Sequence, residues 1–420
     1  MSRLPVLRPR GARSLTVGQV STAVGVAAGA TAAAAVLALV GGAVVMTGKV
    51  VTPARRRTDD VRLLAHEQGG PDGPGTVTLT STPDTRLPGR YSFWFGLGRG
   101  HARVGDVLHD DGRRVVRELE AVDAGDLAAA RAGRVGGTLW RTPADAGLPV
   151  EDVVVEAPVG PAPAWLVPAE GGTGGPWVVS VHGRGVDRSE TVRAAPATRR
   201  AGWTSLLVSY RNDGEAPASA DGRYALGDEE WLDVEAAVQF ALDHGATEVV
   251  LLGWSMGGAV VLQTATRSAL RHHVVGVALE SPVVDWRTTL RYQGRAMHVP
   301  TVVQELALRL LGSSAAARLA RRTGPIDLDR LDLVARAGEL AVPVLLLHSD
   351  DDGFVPSTAS HALAEARPDL VQLEVFEVAR HTKLWNYDPE RFERVIETWL
   401  GERRRASART ERSGRPSAAG

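Results

Sequence analysis

The stretch Val249-Val250-Leu251-Leu252-Gly253-Trp254-Ser255-Met256-Gly257-Gly258 decides how this 420-residue chain is read. Four apolar residues, two of them β-branched, read as a buried strand, and a helical segment opens at Ala259. Between them stands G-x-S-x-G. A strand-to-helix turn this sharp forces its serine into strained backbone geometry, and only small neighbours at Gly253 and Gly257 let the chain fold back without clashes. The Ser255 hydroxyl then projects above the sheet, with the following amide pointing into the same space. Gly and Ser are common, so the pentapeptide alone says little; its place between strand and helix gives it weight. Ser255 is the candidate nucleophile, and a structural turn is the alternative.

Outward from this turn the pattern is regular. Apolar runs rich in β-formers recur at Val153–Val155, Ala164–Val167, Trp177–Val181, Ser205–Val208, Val249–Leu252, Val274–Leu279, Val344–Leu347 and Val371–Phe376. Helical patterns separate most of the later ones; Trp231, Val234, Val238 and Ala241 share one helical face. Strands alternating with helices imply a mainly parallel sheet covered on both faces, over about residues 150–400. Residues 287–340 read as a helical insertion, expected to cap the site.

A serine hydroxyl needs a base to take its proton. After the last run, Val371–Phe376, there is a single histidine, His381. The base needs a carboxylate to fix its tautomer. The loop after the preceding run, His348-Ser349-Asp350-Asp351-Asp352-Gly353-Phe354-Val355-Pro356, offers three aspartates; its spacing to Val355-Pro356 favours Asp352, with Asp350 and Asp351 as alternatives. A tetrahedral intermediate needs donors for its oxyanion. Met256 N–H follows the nucleophile, and Arg184 N–H lies in His182-Gly183-Arg184-Gly185, the loop after Trp177–Val181. The Arg184 side chain stays open between solvent and a substrate anion. His182 reads as a buried structural histidine.

The order Ser255, Asp352, His381 is that of the α/β-hydrolase fold, the fold class expected here. Residues 150–400 resemble the Bem46-like and serine-aminopeptidase-like branch of that superfamily, through His182-Gly183, the turn around Ser255, Asp352 with Val355-Pro356, and His381. Tyr210-Arg211-Asn212 and Leu226-Gly227-Asp228-Glu229-Glu230-Trp231 add to the likeness. The resemblance implies a metal-free acyl-transfer hydrolase, without cofactor, acting on a small ester, thioester or amide. Two departures stand out. Ser349 replaces the usual glycine after His348, and the oxyanion loop lacks the longer glycine run of lipase-type esterases.

The rest of the chain is read from composition. There is no cysteine, which excludes disulfides, thiolate metal sites and a cysteine nucleophile; a formal net charge of -1 gives no sign of a nucleic-acid partner. Residues 15–48 carry no charged side chain, and their most apolar part, 23–46, would rise ~36 Å as a helix, enough for a bilayer core of ~30 Å. A single-pass membrane anchor within residues 1–50 is expected, with a cleaved signal peptide (and so a secreted enzyme) and a soluble Ala-rich helix as the alternatives. Sidedness stays open, because Arg3, Arg8, Arg10 and Arg13 face Lys49, Arg55, Arg56 and Arg57 across the span. Residues 51–75 read as linker, 76–149 as a small β-rich extension packing on the main domain, with a lid over the active site or a surface touching lipid or a partner as alternatives and with residues 124–133 helix-like, and 401–420 as a disordered basic tail. A membrane-anchored serine hydrolase is therefore expected. Its rivals are a peptidase of the serine aminopeptidase type and a non-catalytic, membrane-held binding protein on the same fold.

Overall fold

The computed structural model describes residues 17–53, 58–70, 73–319 and 322–413. Arg3, Arg8, Arg10, Arg13, Arg55, Arg56 and Arg57 lie outside these. The uncharged N-terminal stretch forms one long helix, α1 (Val17–Val51). Its last turns do not stand free. Ala43 and Val51 are fully buried, and the Thr47 hydroxyl donates to Ala307 O at 3.4 Å.

Next comes a closed antiparallel barrel. Its strands are β1 (Val61–Glu67), β2 (Gly75–Thr80), β3 (Tyr91–Phe95), β4 (Gly100–Asp110), β5 (Arg114–Ala124) and β6 (Ala132–Gly136), in the order β1-β2-β5-β4-β3-β6, with β6 pairing back onto β1. Val77, Leu79, Tyr91, Phe93 and Val104 fill it. The barrel thus begins inside the stretch 51–75 read as linker. β1 hides itself in the sequence because it buries only Val61 and shows no clean alternation; ladder pairing on both of its sides holds it. Residues 124–133 are not a helix either. They hold the end of β5, one turn of 3-10 helix at Leu127–Ala129 under an Asp126 cap, and the start of β6. Gly125 at φ 80° breaks the run, and a single turn cannot propagate alone.

Arg117 on β5 ties the loop between β2 and β3 to β4. Its buried guanidinium donates to Gly105 O, Thr85 O, Leu87 O and Gly89 O at 2.6–2.9 Å. Burial pulls its pKa down to about 10, still well above neutrality. Arg117→Met strands four carbonyls. At ~1 kcal/mol for each, the barrel should lose about 4 kcal/mol. Native-state hydrogen exchange checks this: the slow amides of β4 and β5 should exchange ~10²–10³-fold faster than in the wild type.

The remaining elements build one eight-stranded sheet. They are β7 (Glu151–Ala157), β8 (Gly160–Val167), β9 (Gly175–Val181), α2 (Ala195–Arg200), β10 (Thr204–Val208), α3 (Trp231–Asp243), β11 (Ala246–Trp254), α4 (Met256–Arg267), β12 (Val274–Glu280), α5 (Trp286–Ala296), α6 (Thr301–Leu311), α7 (Ser314–Leu319), β13 (Val344–Ser349), α8 (Thr358–Ala366), β14 (Val371–Phe376), α9 (Leu384–Tyr387) and α10 (Pro389–Ser413). The order is β14-β13-β12-β11-β9-β10-β8-β7. β9 to β14 run parallel, while β8 and β7 add antiparallel strands at one edge. Each apolar run named above falls on one of these strands. α3 buries Val234, Val238 and Ala241 on one face of the sheet, and Trp203, Phe392 and Trp399 pack on the other. With both faces covered, the central strands read as unbroken apolar runs.

Helices α5, α6 and α7 leave the sheet after β12 and return at β13. α6 packs along α1, with Val303 and Ala307 against Ala43. The expectation of disorder from Gly401 onward does not hold for its first part, because α10 continues to Ser413. Ile396, Trp399 and Leu400 dock it, and Arg404 donates to Ala201 O at 3.2 Å. The Arg- and Ala-rich residues beyond them are good helix formers.

Candidate active site

The turn at Ser255 has the strained geometry its sequence demands, with φ 50° and ψ −116°. A Cβ on Gly253 would lie 2.6 Å from Gly257 O, and one on Gly257 would collide with Val181 O and His182 O. Ser255 N–H donates to Glu280 O at 3.1 Å, and Ser255 O accepts from Val283 N–H at 3.0 Å. Pinned between β11 and α4, the hydroxyl stands at the C-terminal edge of the parallel strands, where open α/β sheets place their ligands.

His381 lies in the loop after β14, flanked by Arg380 at φ 58° and Thr382 at φ 47°. Its Nε2 is 3.0 Å from Ser255 Oγ, and its Nδ1 is 2.7 Å from Asp352 Oδ2. The other Asp352 oxygen accepts from Phe354 N–H and Val355 N–H at 2.8 and 2.9 Å. Burial pushes the Asp352 carboxyl up, but the charges and hydrogen bonds of His381 and His348 outweigh it and hold it well below the usual carboxylate range. The three aspartates therefore part company. Asp350 turns outward to Ser357 and His361. Asp351 accepts from Arg380 N–H and from Ser349 Oγ, both at 2.8 Å. Ser349, the departure from the usual glycine, also accepts from Ala379 N–H at 3.0 Å. Its hydroxyl thus ties the aspartate loop to the His381 loop, which a glycine cannot do.

The loop after β9 passes close to the serine. A Cβ on Gly183 would sit 3.1 Å from Ser255 Cβ, and Gly183 N–H donates to Glu190 Oε2 at 2.7 Å. The amides of Met256 and Arg184, the two expected oxyanion donors, have no hydrogen-bond partner among the described residues. The Arg184 side chain reaches toward α1. Its Nη2 donates to Lys49 O and Thr52 O at 2.7 and 3.0 Å, satisfying carbonyls at the C-terminal end of α1. His182 is fully buried, with Nδ1 on Gly183 O and Nε2 3.2 Å from Asp213 Oδ2. Burial lowers its pKa, but Asp213 outweighs burial and the net shift is upward. Two acceptors and a Tyr210 ring stacked at 4.3 Å make it a brace for the loop.

Over the serine opens a polar cleft that two parts of the chain share. Asp84, Val135 and Gly136 of the barrel face Glu190, Ser255, His381 and Lys383. This places part of the extension 76–149 at the rim of the cleft, though no local pattern marks which of its residues line it. Asp84 pairs with Lys383 Nζ at 2.9 Å and Arg380 Nε at 3.1 Å, so a barrel carboxylate clamps both flanks of the His381 loop. Burial lowers the Lys383 pKa against the opposing pull of Asp84. Beneath, buried Arg193 donates to Thr382 O and Asn386 Oδ1, and Asn386 donates to Arg90 O and Gly137 O. These contacts join groups far apart in sequence, and no local motif announces them.

Residues 171–395, more than half of the chain, match the sequence profile of the Alpha/beta hydrolase family. Residues 62–136, the barrel, match a family described as Domain of unknown function (DUF8805). The pimeloyl-[acyl-carrier protein] methyl ester esterase of Aliivibrio fischeri (strain MJ11) is 25% identical over 198 residues, covering 40% of this chain and 76% of that protein. That of Aeromonas hydrophila subsp. hydrophila is 26% identical over 257 residues, covering 54% and 96%. Among solved structures, an esterase of Pyrococcus furiosus is similar at a TM-score of 0.47 and 17% identity, over 63% of this chain and 94% of its own.

Proposed function

Because this chain belongs to the Alpha/beta hydrolase family, we propose that it is a serine ester hydrolase held at a membrane by α1. The observation that carries the reading is the relay of Ser255 Oγ, His381 and Asp352 at 3.0 and 2.7 Å, beside two unengaged amides. Ser255 Oγ attacks the ester carbonyl as His381 Nε2 takes its proton. Asp352 holds Nδ1–H and offsets the positive charge on the ring. Met256 and Arg184 N–H donate to the oxyanion. Collapse expels the alcohol, which takes the proton from His381. Water, deprotonated by His381, then releases the acid from the acyl-enzyme.

Two features favour an ester over a peptide N-terminus. A free amino group is best held by a carboxylate that no cation already neutralises. In the cleft Glu190 accepts from Gly183 N–H and stands 3.9 Å from Arg193 Nη2, and Asp84 lies between Arg380 and Lys383. The relatives from Aliivibrio fischeri and Aeromonas hydrophila are both named as methyl ester esterases.

Retention of α1 is supported by packing. Cleavage near Lys49 would remove Ala43 and Thr47 from against α6 and take away a carbonyl that Arg184 satisfies. The docked turns also move the span toward the N-terminus. Residues 17–38 alone rise ~33 Å as a helix, enough for a hydrocarbon core of ~30 Å.

Membrane-extracted protein should hydrolyse p-nitrophenyl esters and leave aminoacyl p-nitroanilides untouched. Its mature N-terminus, read by mass spectrometry, should precede Val17. Preferred cleavage of the anilides overturns the ester reading. No turnover of either class leaves the binding-protein rival.

A further inference from the structure

Ser255 has unequal space on its two sides. His381 lines the polar cleft beside the barrel, which holds about 380 Å³. The space that Ser255 shares with Val283, Trp286 and Leu290 holds about 20 Å³, and His381 does not line it. One water-sized group needs ~10–15 Å³, so this space admits a methyl and not a longer chain. Its walls are held in place. Val283, Trp286 and Leu290 are buried, Val283 N–H donates to Ser255 O, and Trp286 Nε1 donates to Leu226 O at 2.7 Å. At the edge, Gln293 Nε2 donates to Phe354 O at 3.2 Å.

The reaction decides which part of an ester goes where. The departing alcohol takes its proton from His381, so it lies on the His381 side and the acyl group on the other. The narrow space therefore receives the acyl group, and the wide cleft receives the alcohol. That cleft is of ligand size, ~300–1,000 Å³. Through Asp84, Val135 and Arg380 it continues into an open hollow of about 610 Å³ along the barrel. The charges in the cleft balance: Asp84 and Glu190 stand against Arg380 and Lys383, while the Arg184 guanidinium is taken up by Lys49 O and Thr52 O. Asp60 and Arg134 repeat the balance in the outer hollow. A charged alcohol gains little there from its charge. A hydroxyl both donates and accepts, so it can use groups of either sign.

We infer that the substrate is an acetyl ester of an uncharged, many-hydroxyl alcohol of the sugar type. This rests on the ester-hydrolase reading above. Ser255 Oγ bonds to the acetyl carbon as the ester C–O bond breaks, and the sugar leaves with the proton from His381. Water then adds its hydroxyl to the acetyl carbon, acetate leaves, and the second proton of the water returns through His381 to Ser255 Oγ. The barrel serves as the wall that binds the alcohol.

The test uses the full chain in detergent with p-nitrophenyl acetate, butyrate and octanoate. For the wild type, kcat/KM should fall at least tenfold from acetate to butyrate, because two added methylenes overfill the space. Leu290→Ala opens it and should raise the butyrate-to-acetate ratio at least tenfold; Val283→Ala enlarges the same space and serves if the first variant does not fold. Acetate release from 6-O-acetylglucose should exceed that from hexyl acetate at least tenfold in kcat/KM. A wild-type profile that is flat or rising with chain length overturns the acetyl assignment and leaves the ester hydrolase standing. A folded opening variant with an unchanged ratio moves the acyl group out of this space and does the same. Hexyl acetate turned over as fast as the sugar ester overturns the alcohol assignment. Absence of any ester hydrolysis sinks the underlying reading, and this inference with it.

Discussion

Ser255→Ala is expected to abolish covalent labelling by a fluorophosphonate probe and to lower ester kcat by about 10⁶-fold, the scale seen when a triad serine is removed. The expected loss is chemical, because little else changes at the position. Alanine keeps the Cβ, so it occupies the same φ of 50° at a similar cost. The backbone bonds of residue 255 to Glu280 O and from Val283 N–H remain. The one side-chain hydrogen bond lost is that to His381 Nε2. Melting temperature should therefore stay close to wild type while labelling disappears. Labelling that persists in the variant places the nucleophile elsewhere and removes the basis of the mechanism. Lost labelling with a collapsed melting temperature would instead make Ser255 a folding residue.

What the sequence disclosed and what it hid separate along physical lines. Ser255 was legible because a local backbone demand, strand into helix through two glycines, is written in adjacent residues. His381 and Asp352 were legible because strand order fixes which loops reach that edge of the sheet. Ser349 was visible only as a departure; its bonds to Asp351 and Ala379 N–H require the fold. The barrel was half legible. Alternation marked β2, and the aromatic run marked β3, but β1 is held by its neighbours' hydrogen bonds and carries little pattern of its own. The same holds for the far end of α1. An uncharged Ala/Gly-rich stretch declares that it can cross lipid. It does not declare that Gly42 and Ala43 let Val303 come close, nor that Arg184 binds carbonyls at its end. Contacts made by smallness and by backbone oxygens leave no chemical signature in a sequence.

Asp352→Asn gives the second large effect, and it tests the choice among three adjacent acids. Phe354 and Val355 N–H still need an acceptor, and the Asn carbonyl can serve them. Its amide NH₂ then faces His381 Nδ1. A donor there requires Nδ1 to accept, which puts the ring proton on Nε2, pointing at Ser255. Histidine in that tautomer cannot take the hydroxyl proton, and kcat should fall ~10⁴-fold with the fold intact. Asp350→Asn, whose partners are Ser357 and His361 on the outer side of the loop, should stay near wild type. The pH behaviour follows from the sign of the shift. The folded pKa of Asp352 is depressed, so its contribution to stability is fully present above the unfolded value of ~3.9 and is lost only as pH falls through the lower folded value. Asp352 thus remains ionised throughout the range where the enzyme is assayed and contributes no limb to a kcat–pH profile there. The decisive result is the pair of variants: if Asp350→Asn were the one to lose four orders of magnitude while Asp352→Asn kept its activity, the acid would be misassigned despite its 2.7 Å contact with the imidazole.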